Sequence, residues 1–162
     1  MIELVPIWRT IEENQEFANN PDCRETLAMS IEYHRLIGFE PPWIGYFARM
    51  NGEYTGSGGF KGAPFKGRVE IAYGTFERFR SQGIGTEICG KLVELSLLAD
   101  PSILITARTL PEKNHSTRIL EKNGFQFAGV VQDIDDGEVW EWLSTGINHP
   151  LSCISIRPHT SK

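Results

Sequence analysis

The spacing of apolar and polar residues predicts a strand and two helices at the start of the chain. Residues 2–8 are β-prone, and Pro6 favours the edge of a sheet, where its missing N–H is tolerated. Helical character follows over residues 10–20. An apolar stripe at helical spacing over residues 21–37 predicts a longer helix, which Gly38 ends.

Two β-prone segments, 43–50 and 53–60, flank Asn51-Gly52, the strongest short-range signal for a β-hairpin. The later segments alternate between strand and helix. In order, they are a strand at 68–76, a helix at 85–99, a strand at 102–110, a helix at 115–125 and two strands at 125–134 and 138–144. The strand–helix–strand unit implies a parallel pair of strands with a right-handed crossover.

This order of elements predicts an α/β fold of the mixed α+β kind, with a central mixed sheet of about seven strands flanked by about four helices. A chain of 162 residues suits one domain. We place that domain at residues 1–146 and treat residues 147–162 as a polar C-terminal tail.

Net charge and hydropathy narrow the class of protein. The chain is 40% hydrophobic and 23% charged, with a formal net charge of −5. Proteins that bind nucleic acids are usually basic, so we expect no nucleic-acid partner. The sequence has no apolar run of membrane-spanning length and no basic segment at its start, so we expect no membrane partner and a cytoplasmic location.

Three cysteines, Cys23, Cys89 and Cys153, are odd in number and widely spaced. This pattern is typical of free thiols in a reducing cytoplasm and not of a disulfide framework. The histidines are scattered as well, and no pair has metal-ligand spacing, so we expect no metal. A homodimer is left as one possible oligomeric state.

The segment RSQGIGT at residues 80–86 joins a predicted strand to a predicted helix. The first turn of a helix leaves backbone N–H groups unpaired, and the helix dipole makes that end attractive to anions. Gly83 and Gly85 let the backbone approach a bulky anion, and Arg80 can add a charge-assisted hydrogen bond. The segment can therefore bind a phosphate group. The spacing alone supports a second interpretation equally well, in which both glycines only start a closely packed helix.

Other phosphate-binding motifs do not fit the sequence. A Walker loop needs a lysine and then a serine or threonine after its last glycine, whereas Gly67 is followed by Arg68 and Val69. The dinucleotide fingerprint needs a third glycine where this chain has Ile88.

The R-x-x-G-x-G pattern of residues 80–85 resembles the acetyl-CoA signature of the GNAT superfamily of N-acetyltransferases. A second segment, PEKNHSTRILEKNGF at residues 111–125, resembles a later helix of the same superfamily. Residues 58–74, GGFKGAPFKGRVEIAYG, resemble two strands of the branch that contains ribosomal-protein N-terminal acetyltransferases. The resemblance covers roughly residues 43–143.

By this resemblance, acetyl-CoA is the cosubstrate and two neighbouring segments bind it. Backbone N–H groups of the glycine turn face the pyrophosphate, and the preceding strand splays from its neighbour to pair with the pantetheine arm. An N–H there can also polarise the thioester carbonyl. A simple bulge at Gly74 is the alternative. The implied residues are Tyr73, Gly74, Thr75 and Phe76 on the strand, and Arg80, Ser81, Gln82, Gly83, Ile84, Gly85 and Thr86 in the turn.

Departures from the family pattern concern the later helix. Ser116 occupies its family position, whereas Lys113 stands where asparagine is usual and Asn114 is shifted by one. We include Asn114 and Ser116 among the cofactor-binding residues. Leu120 replaces a tyrosine that protonates the leaving thiolate in many relatives, and we expect it to line the thioester end without acid chemistry. A thiol with a pKa near 8.5 leaves tolerably as the thiolate.

Glu70 is the candidate catalytic residue, because some relatives keep a general-base glutamate at this strand position. It would accept a proton from the attacking amine, directly or through water. Strand alternation puts it on the face of Ala72, opposite Val69 and Ile71. A solvated strand carboxylate is the alternative.

The resemblance implies an acetyl-CoA-dependent N-acetyltransferase that acts on a primary amine of a protein N-terminus or a small molecule. A non-catalytic acyl-CoA-binding sensor or subunit is the alternative, and Leu120 favours it. Two groups of residues are candidate substrate contacts, with core packing or a solvated face as their alternatives. They are the aromatic residues Phe17, Tyr33, Phe39, Trp43, Tyr46 and Phe47, and the acidic residues Asp133, Asp135, Asp136, Glu138 and Glu141.

Overall fold

The computed structural model describes residues 1–145, so the predicted C-terminal tail at residues 147–162 lies outside the described residues. Within residues 1–145 the chain forms seven strands and four α-helices. The strands are β1 (Glu3–Pro6), β2 (Gly45–Met50), β3 (Glu53–Phe60), β4 (Arg68–Thr75), β5 (Leu104–Thr109), β6 (Gln126–Asp133) and β7 (Gly137–Ser144). The helices are α1 (Gln15–Ala18), α2 (Arg24–Ile37), α3 (Ile84–Ala99) and α4 (His115–Lys122).

The strands form one sheet in the order β1-β2-β3-β4-β5-β7-β6. Neighbouring strands are antiparallel except β4 and β5, which run parallel and are connected through α3. The predicted mixed sheet and its parallel pair are therefore confirmed. Pro6 lies on the edge strand β1, as predicted, because an edge does not require the N–H that proline lacks.

Local sequence signals explain where several elements end. The hairpin between β2 and β3 turns at Asn51 and Gly52, whose φ angles of 52° and 79° match the twist of the flanking strands. Gly38 ends α2, as predicted. The helix predicted at residues 10–20 is shorter than expected, because α1 has four residues after one turn of 3₁₀ helix.

A gap opens between β4 and β5 at the C-terminal end of β4. The two strands pair from Arg68 opposite Leu104 to Glu70 opposite Thr106 and then diverge. Beyond this point β4 continues along β3, and β5 continues along β7. Backbone groups of residues 71–75 that face the gap therefore have no strand partner within residues 1–145. The predicted splay of this strand is confirmed.

The core covers both faces of the sheet, so the molecule has three layers. Successive residues of β2 alternate between the faces, since Tyr46 and Ala48 belong to the cluster that contains α3 and α4, and Phe47 to the cluster that contains α1 and α2. Both Ile88 and Leu92 of α3 are fully buried. The rigid middle layer holds β4 between the two helical layers.

Candidate active site

The N-terminal end of α3 is suited to an anion. Gly83 takes the N-cap position with a φ of 77°, and no side chain of residues 1–145 caps the helix. The N–H groups of the first turn therefore keep their hydrogen-bonding capacity, and the helix dipole adds positive potential. Arg80 and Ser81 are exposed beside this turn. The geometry fits a phosphate group.

The two glycines of the turn have different physical roles. A Cβ atom on Gly83 would meet no atom within 4 Å, so this position needs glycine for its left-handed backbone and not for packing. A Cβ atom on Gly85 would lie 2.8 Å from Cδ1 of Ile119, so Gly85 allows α3 to pack against α4. The interpretation as a packed helix start thus holds for Gly85, whereas Gly83 leaves open space beside the free N–H groups.

A cavity of about 280 Å³, here named the α3 cavity, lies against this helix end and the last residues of β4. Most of the residues predicted to bind the cofactor meet there, namely Tyr73, Gly74, Thr75, Arg80, Ser81, Gly83, Ile84, Gly85 and Ser116. Four others do not line it, namely Phe76, Gln82, Thr86 and Asn114. Three residues of the wall were missed by the sequence analysis, namely Phe79, His115 and Ile119. Helical spacing from Ser116 gives the signal for Ile119, three residues later.

Gly74 lies in a regular part of the sheet. It pairs with Ser57 in the unbroken register of β3 and β4, so the bulge alternative is wrong. A Cβ atom on Gly74 would meet no atom within 4 Å, which leaves free space above the strand at this point.

Asn114 has a structural role at the start of α4. Its side-chain oxygen accepts a hydrogen bond from the backbone N–H of Thr117 at 3.2 Å, and the Thr117 hydroxyl accepts one from the backbone N–H of Asn114 at 3.0 Å. This reciprocal capping box satisfies two backbone donors of the helix end. The exposed Ser116, the second residue of the same helix, lines the α3 cavity instead.

Leu120 does not face the α3 cavity, which corrects the expectation that it lines the thioester end. Its side chain is 0% exposed and belongs to the main hydrophobic cluster. The helical repeat explains the difference, because α4 turns Ser116 and Ile119 toward the cavity and Leu120 toward the core.

Truncation of Leu120 is expected to reduce stability. Leu120→Ala should lower the free energy of unfolding by about 2–5 kcal/mol, because it leaves a cavity in a closed site. Leu98→Ala, at a 78% exposed position of α3, is the matched control and should change it little. Chemical denaturation of both variants measures the difference, and equal stability of the two would contradict the core position of Leu120.

A second cavity of about 520 Å³, here named the α2 cavity, lies between α2 and the sheet. The helix contributes Thr26, Met29, Ser30, Tyr33 and His34. The strands and turns contribute Ile7, Gly45, Tyr46, Ser57, Gly58, Gly59, Phe60, Lys61, Ala72, Tyr73, Gly74 and Asp135. Tyr73 and Gly74 line both cavities, so the two spaces meet at the splayed end of β4.

The aromatic residues that were candidates for substrate contact divide into two groups. Tyr33 and Tyr46 line the α2 cavity, and Tyr46 also belongs to the main hydrophobic cluster. The others pack in the core or against it: Phe17, Phe39, Trp43 and Phe47. Apolar side chains near a sheet usually belong to the core. Only the position of α2 across the sheet shows which aromatic residues line the cavity and which pack in the core.

Glu70 lies in an ion-pair cluster beside the α2 cavity. Its carboxylate is 2.7 Å from Nζ of Lys61 and 3.6 Å from Nε of Arg108. It lies on the face of Ala72 and opposite the buried Val69 and Ile71, as predicted. Glu70 does not itself line the cavity, since the Lys61 side chain lines it at this point.

The thiols in the described part of the chain are structural. Cys23 and Cys89 are both 0% exposed, and burial raises the pKa of each to about 12, so they stay protonated near neutral pH. Cys89 makes a hydrogen bond with Tyr73, whose pKa is raised, mainly by burial. Neither thiol is therefore suited to be a nucleophile. Cys153 lies outside the described residues.

Residues 1–145 contain no group of three or more histidine, cysteine, aspartate or glutamate side chains that could hold a metal ion. Over the same range, no helix combines the length and the hydrophobicity that a membrane span requires.

Comparison with known proteins gives one family and a common fold. A family model described as an acetyltransferase (GNAT) domain matches residues 5–126. A search of curated protein sequences gives no match.

Three solved structures illustrate the likeness in fold. The aminoglycoside acetyltransferase AAC(6')-Ib, in complex with coenzyme A, is 23% identical with a TM-score of 0.64, and the match covers 90% of this chain and 95% of that one. RimL, a ribosomal L7/L12 alpha-N-protein acetyltransferase in complex with coenzyme A, is 14% identical with a TM-score of 0.65, covering 89% and 93%. The microcin C7 self-immunity acetyltransferase MccE, with acetyl-CoA and AMP, is 18% identical with a TM-score of 0.63, covering 89% and 92%.

Proposed function

The chain belongs to the GNAT acetyltransferase family, and from this premise we propose that it transfers an acetyl group from acetyl-CoA directly to a primary amine of a small molecule or a protein N-terminus. One observation carries the proposal. The α3 cavity and the α2 cavity meet at Tyr73 and Gly74, so two ligands can approach one point from opposite sides of β4. A direct transfer needs this arrangement, because proximity provides much of the acceleration.

The cofactor side of the proposal assigns the pyrophosphate of acetyl-CoA to the start of α3. The uncapped N–H groups after Gly83 and the exposed Arg80 are suited to hold it. Gln82 and Thr86 can contribute through backbone N–H groups, which do not require their side chains to line the α3 cavity. The pantetheine arm would then pair with the free backbone edge of residues 71–75 and reach Gly74. Solved structures of similar fold include complexes with coenzyme A and with acetyl-CoA, which supports acetyl-CoA as the ligand.

The proposed reaction has two steps, the addition of the amine to the thioester and the departure of coenzyme A. The neutral amine attacks the thioester carbonyl, a C–N bond forms, the C–S bond breaks, and coenzyme A leaves as the thiolate. A backbone N–H of β4 near Gly74 can stabilise the charge that develops on the carbonyl oxygen. Because Leu120 is buried and cannot donate a proton, thiolate departure relies on the pKa of the thiol itself, near 8.5.

We further propose that Glu70 accepts the proton lost by the amine, through water. Its position on the face of Ala72 and Gly74 supports this role, because both of those residues line the α2 cavity. Lys61 holds the carboxylate in place at 2.7 Å.

A second candidate function is a non-catalytic acyl-CoA sensor or subunit. Two observations favour it: Leu120 is buried, and the Glu70 carboxylate is already paired with Lys61 and approached by Arg108. In this case the α3 cavity would bind the cofactor without turnover.

A thiol-release assay with acetyl-CoA and a panel of amines tests the proposal. The panel should contain small monoamines, diamines, amino sugars and N-terminal peptides. Thiol release that depends on an amine, together with an acetylated product by mass spectrometry, supports the enzyme. Calorimetric binding of coenzyme A without turnover on any amine would support the sensor instead.

The proposed place of action is the cytoplasm, supported by the free buried thiols of Cys23 and Cys89, which suit a reducing compartment. The homodimer is retained as a proposed assembly state, which sedimentation velocity of the full chain would test.

A further inference from the structure

Some charged side chains around the α2 cavity have a partner of opposite charge, and others do not. The acidic hairpin of β6 and β7 approaches this cavity, together with Glu70 and Lys61. Whether the hairpin attracts a cation depends on which of its carboxylates already form an ion pair. The structure shows which of them do.

Two carboxylates of the hairpin are engaged by arginines. Asp133 is 2.8 Å from Arg108, and Glu141 is 3.0 Å from Arg68. The hydrogen bond from Arg108, followed by the backbone N–H groups of Asp135 and Asp136, holds the pKa of Asp133 at about 2. These two side chains therefore contribute little uncompensated charge.

The cationic and titratable groups of the cavity wall are neutralised as well. Lys61 is paired with Glu70 at 2.7 Å. His34 is buried, which lowers its pKa, and its Nε2 accepts a hydrogen bond from the backbone N–H of Gly45 at 3.1 Å. A neutral imidazole and a closed ion pair leave no net charge on this part of the wall.

Asp135, Asp136 and Glu138 are exposed carboxylates of the hairpin without an ion pair within residues 1–145. Of these three, only Asp135 lines the α2 cavity. Its backbone N–H donates to Asp133 at 2.9 Å, which fixes the turn. Tyr33 of α2 and Asp135 both line the α2 cavity. The cavity wall that contains Gly74 and Asp135 also includes apolar residues such as Ile7, Met29 and Ala72.

Resting on the proposed function, we infer that Asp135 selects acceptors that carry a second cationic group besides the reacting amine. The reacting amine would sit near Tyr73 and Gly74, and the second cation would face the Asp135 carboxylate in the same cavity of about 520 Å³, which limits the length of the acceptor. The substrate class is therefore a compact diamine or polyamine, linear or borne on a sugar, and not a monoamine.

The experiment compares 1,5-diaminopentane with 5-aminopentan-1-ol, which replaces the second cation by a neutral hydroxyl at equal chain length. After correction for two equivalent amines, kcat/KM should favour the diamine by about five-fold, the upper range for a solvent-exposed charge pair. The preference should decrease with added salt, because exposed charges are screened. A diamino sugar and its monoamino analogue form a second arm, which distinguishes linear from sugar-borne amines.

The matched variants are Asp135→Asn and Asp136→Asn. Both remove one negative charge from the same exposed turn, but Asp136 does not line the α2 cavity. Asp135→Asn should abolish the preference in both arms, and Asp136→Asn should retain it. An equal loss of the diamine preference in the two variants would show that it depends on the total charge of the turn and not on Asp135. This result would overturn the inference.

Two further outcomes separate this inference from the proposed function. Turnover of monoamines and diamines at equal kcat/KM by the unaltered protein would overturn the inference and leave the acetyltransferase intact. No turnover on any amine, with coenzyme A still bound, would overturn the proposed function and this inference with it.

Discussion

Replacement of Gly83 by glutamate is expected to weaken acetyl-CoA binding by about 100-fold or more, the loss of one to two charge-assisted hydrogen bonds. The new carboxylate would project into open space beside the uncapped N–H groups of α3 and compete with the pyrophosphate for them. Titration calorimetry with acetyl-CoA measures the dissociation constant.

Gly67→Glu is the matched control for this experiment. Gly67 has a φ of 73°, close to the 77° of Gly83, and a Cβ atom there would also meet no atom within 4 Å. Backbone strain and the change in net charge are therefore the same, but the residue lies before β4, away from the α3 cavity. Acetyl-CoA binding should be retained in Gly67→Glu. Unchanged binding in a folded Gly83→Glu protein would place the anion site elsewhere.

Replacement of Glu70 by glutamine is expected to lower kcat near neutral pH by about 100-fold, the lower range for general-base catalysis. An amine similar to lysine has a pKa of about 10.4, so only about one molecule in a thousand is neutral at pH 7.4. Removing the proton acceptor therefore matters most at low pH. The deficit should shrink as the pH rises toward the pKa of the amine, while the KM for acetyl-CoA changes little. A pH–rate profile on one identified amine measures this.

Glu141→Gln is the control for damage to the ion-pair cluster. The Glu141 side chain is 17% exposed, against 20% for Glu70, and it also approaches Arg108, at 3.7 Å. It lies on β7 and lines neither cavity, so its kcat should stay near that of the unaltered protein. If Glu70→Gln and the unaltered protein give superimposed profiles, Glu70 is a structural strand residue and the proton goes to another group or to bulk water.

The position of Glu70 shows which features of a site can be predicted from the sequence and which cannot. Strand alternation correctly placed it on the face of Ala72, because side-chain direction in a strand depends only on residue parity. Its partners were not predictable in the same way. Lys61 and Arg108 reach it from the loop before β4 and from β5, and their distances depend on the register of three strands.

Leu120 and Asn114 show the same limit from another side. A family pattern relates residues by position in sequence, and it placed both near the cofactor. The rotation of α4 about its axis buries Leu120, and Asn114, which caps the start of the helix, does not line the α3 cavity. One residue of helix corresponds to about 100° of rotation, so neighbours in the pattern face different environments.

The sequence by itself determined the elements, their order and the glycine turn at the start of α3. These properties depend on contiguous residues: the hairpin on Asn51-Gly52, the helix end on Gly38, and the open turn on Gly83. The tertiary structure alone decided that the α3 cavity and the α2 cavity meet at Tyr73 and Gly74, and that Asp135 lines the α2 cavity. Those facts require strand pairing and helix packing between segments far apart in the chain, and local backbone preferences carry no information about them.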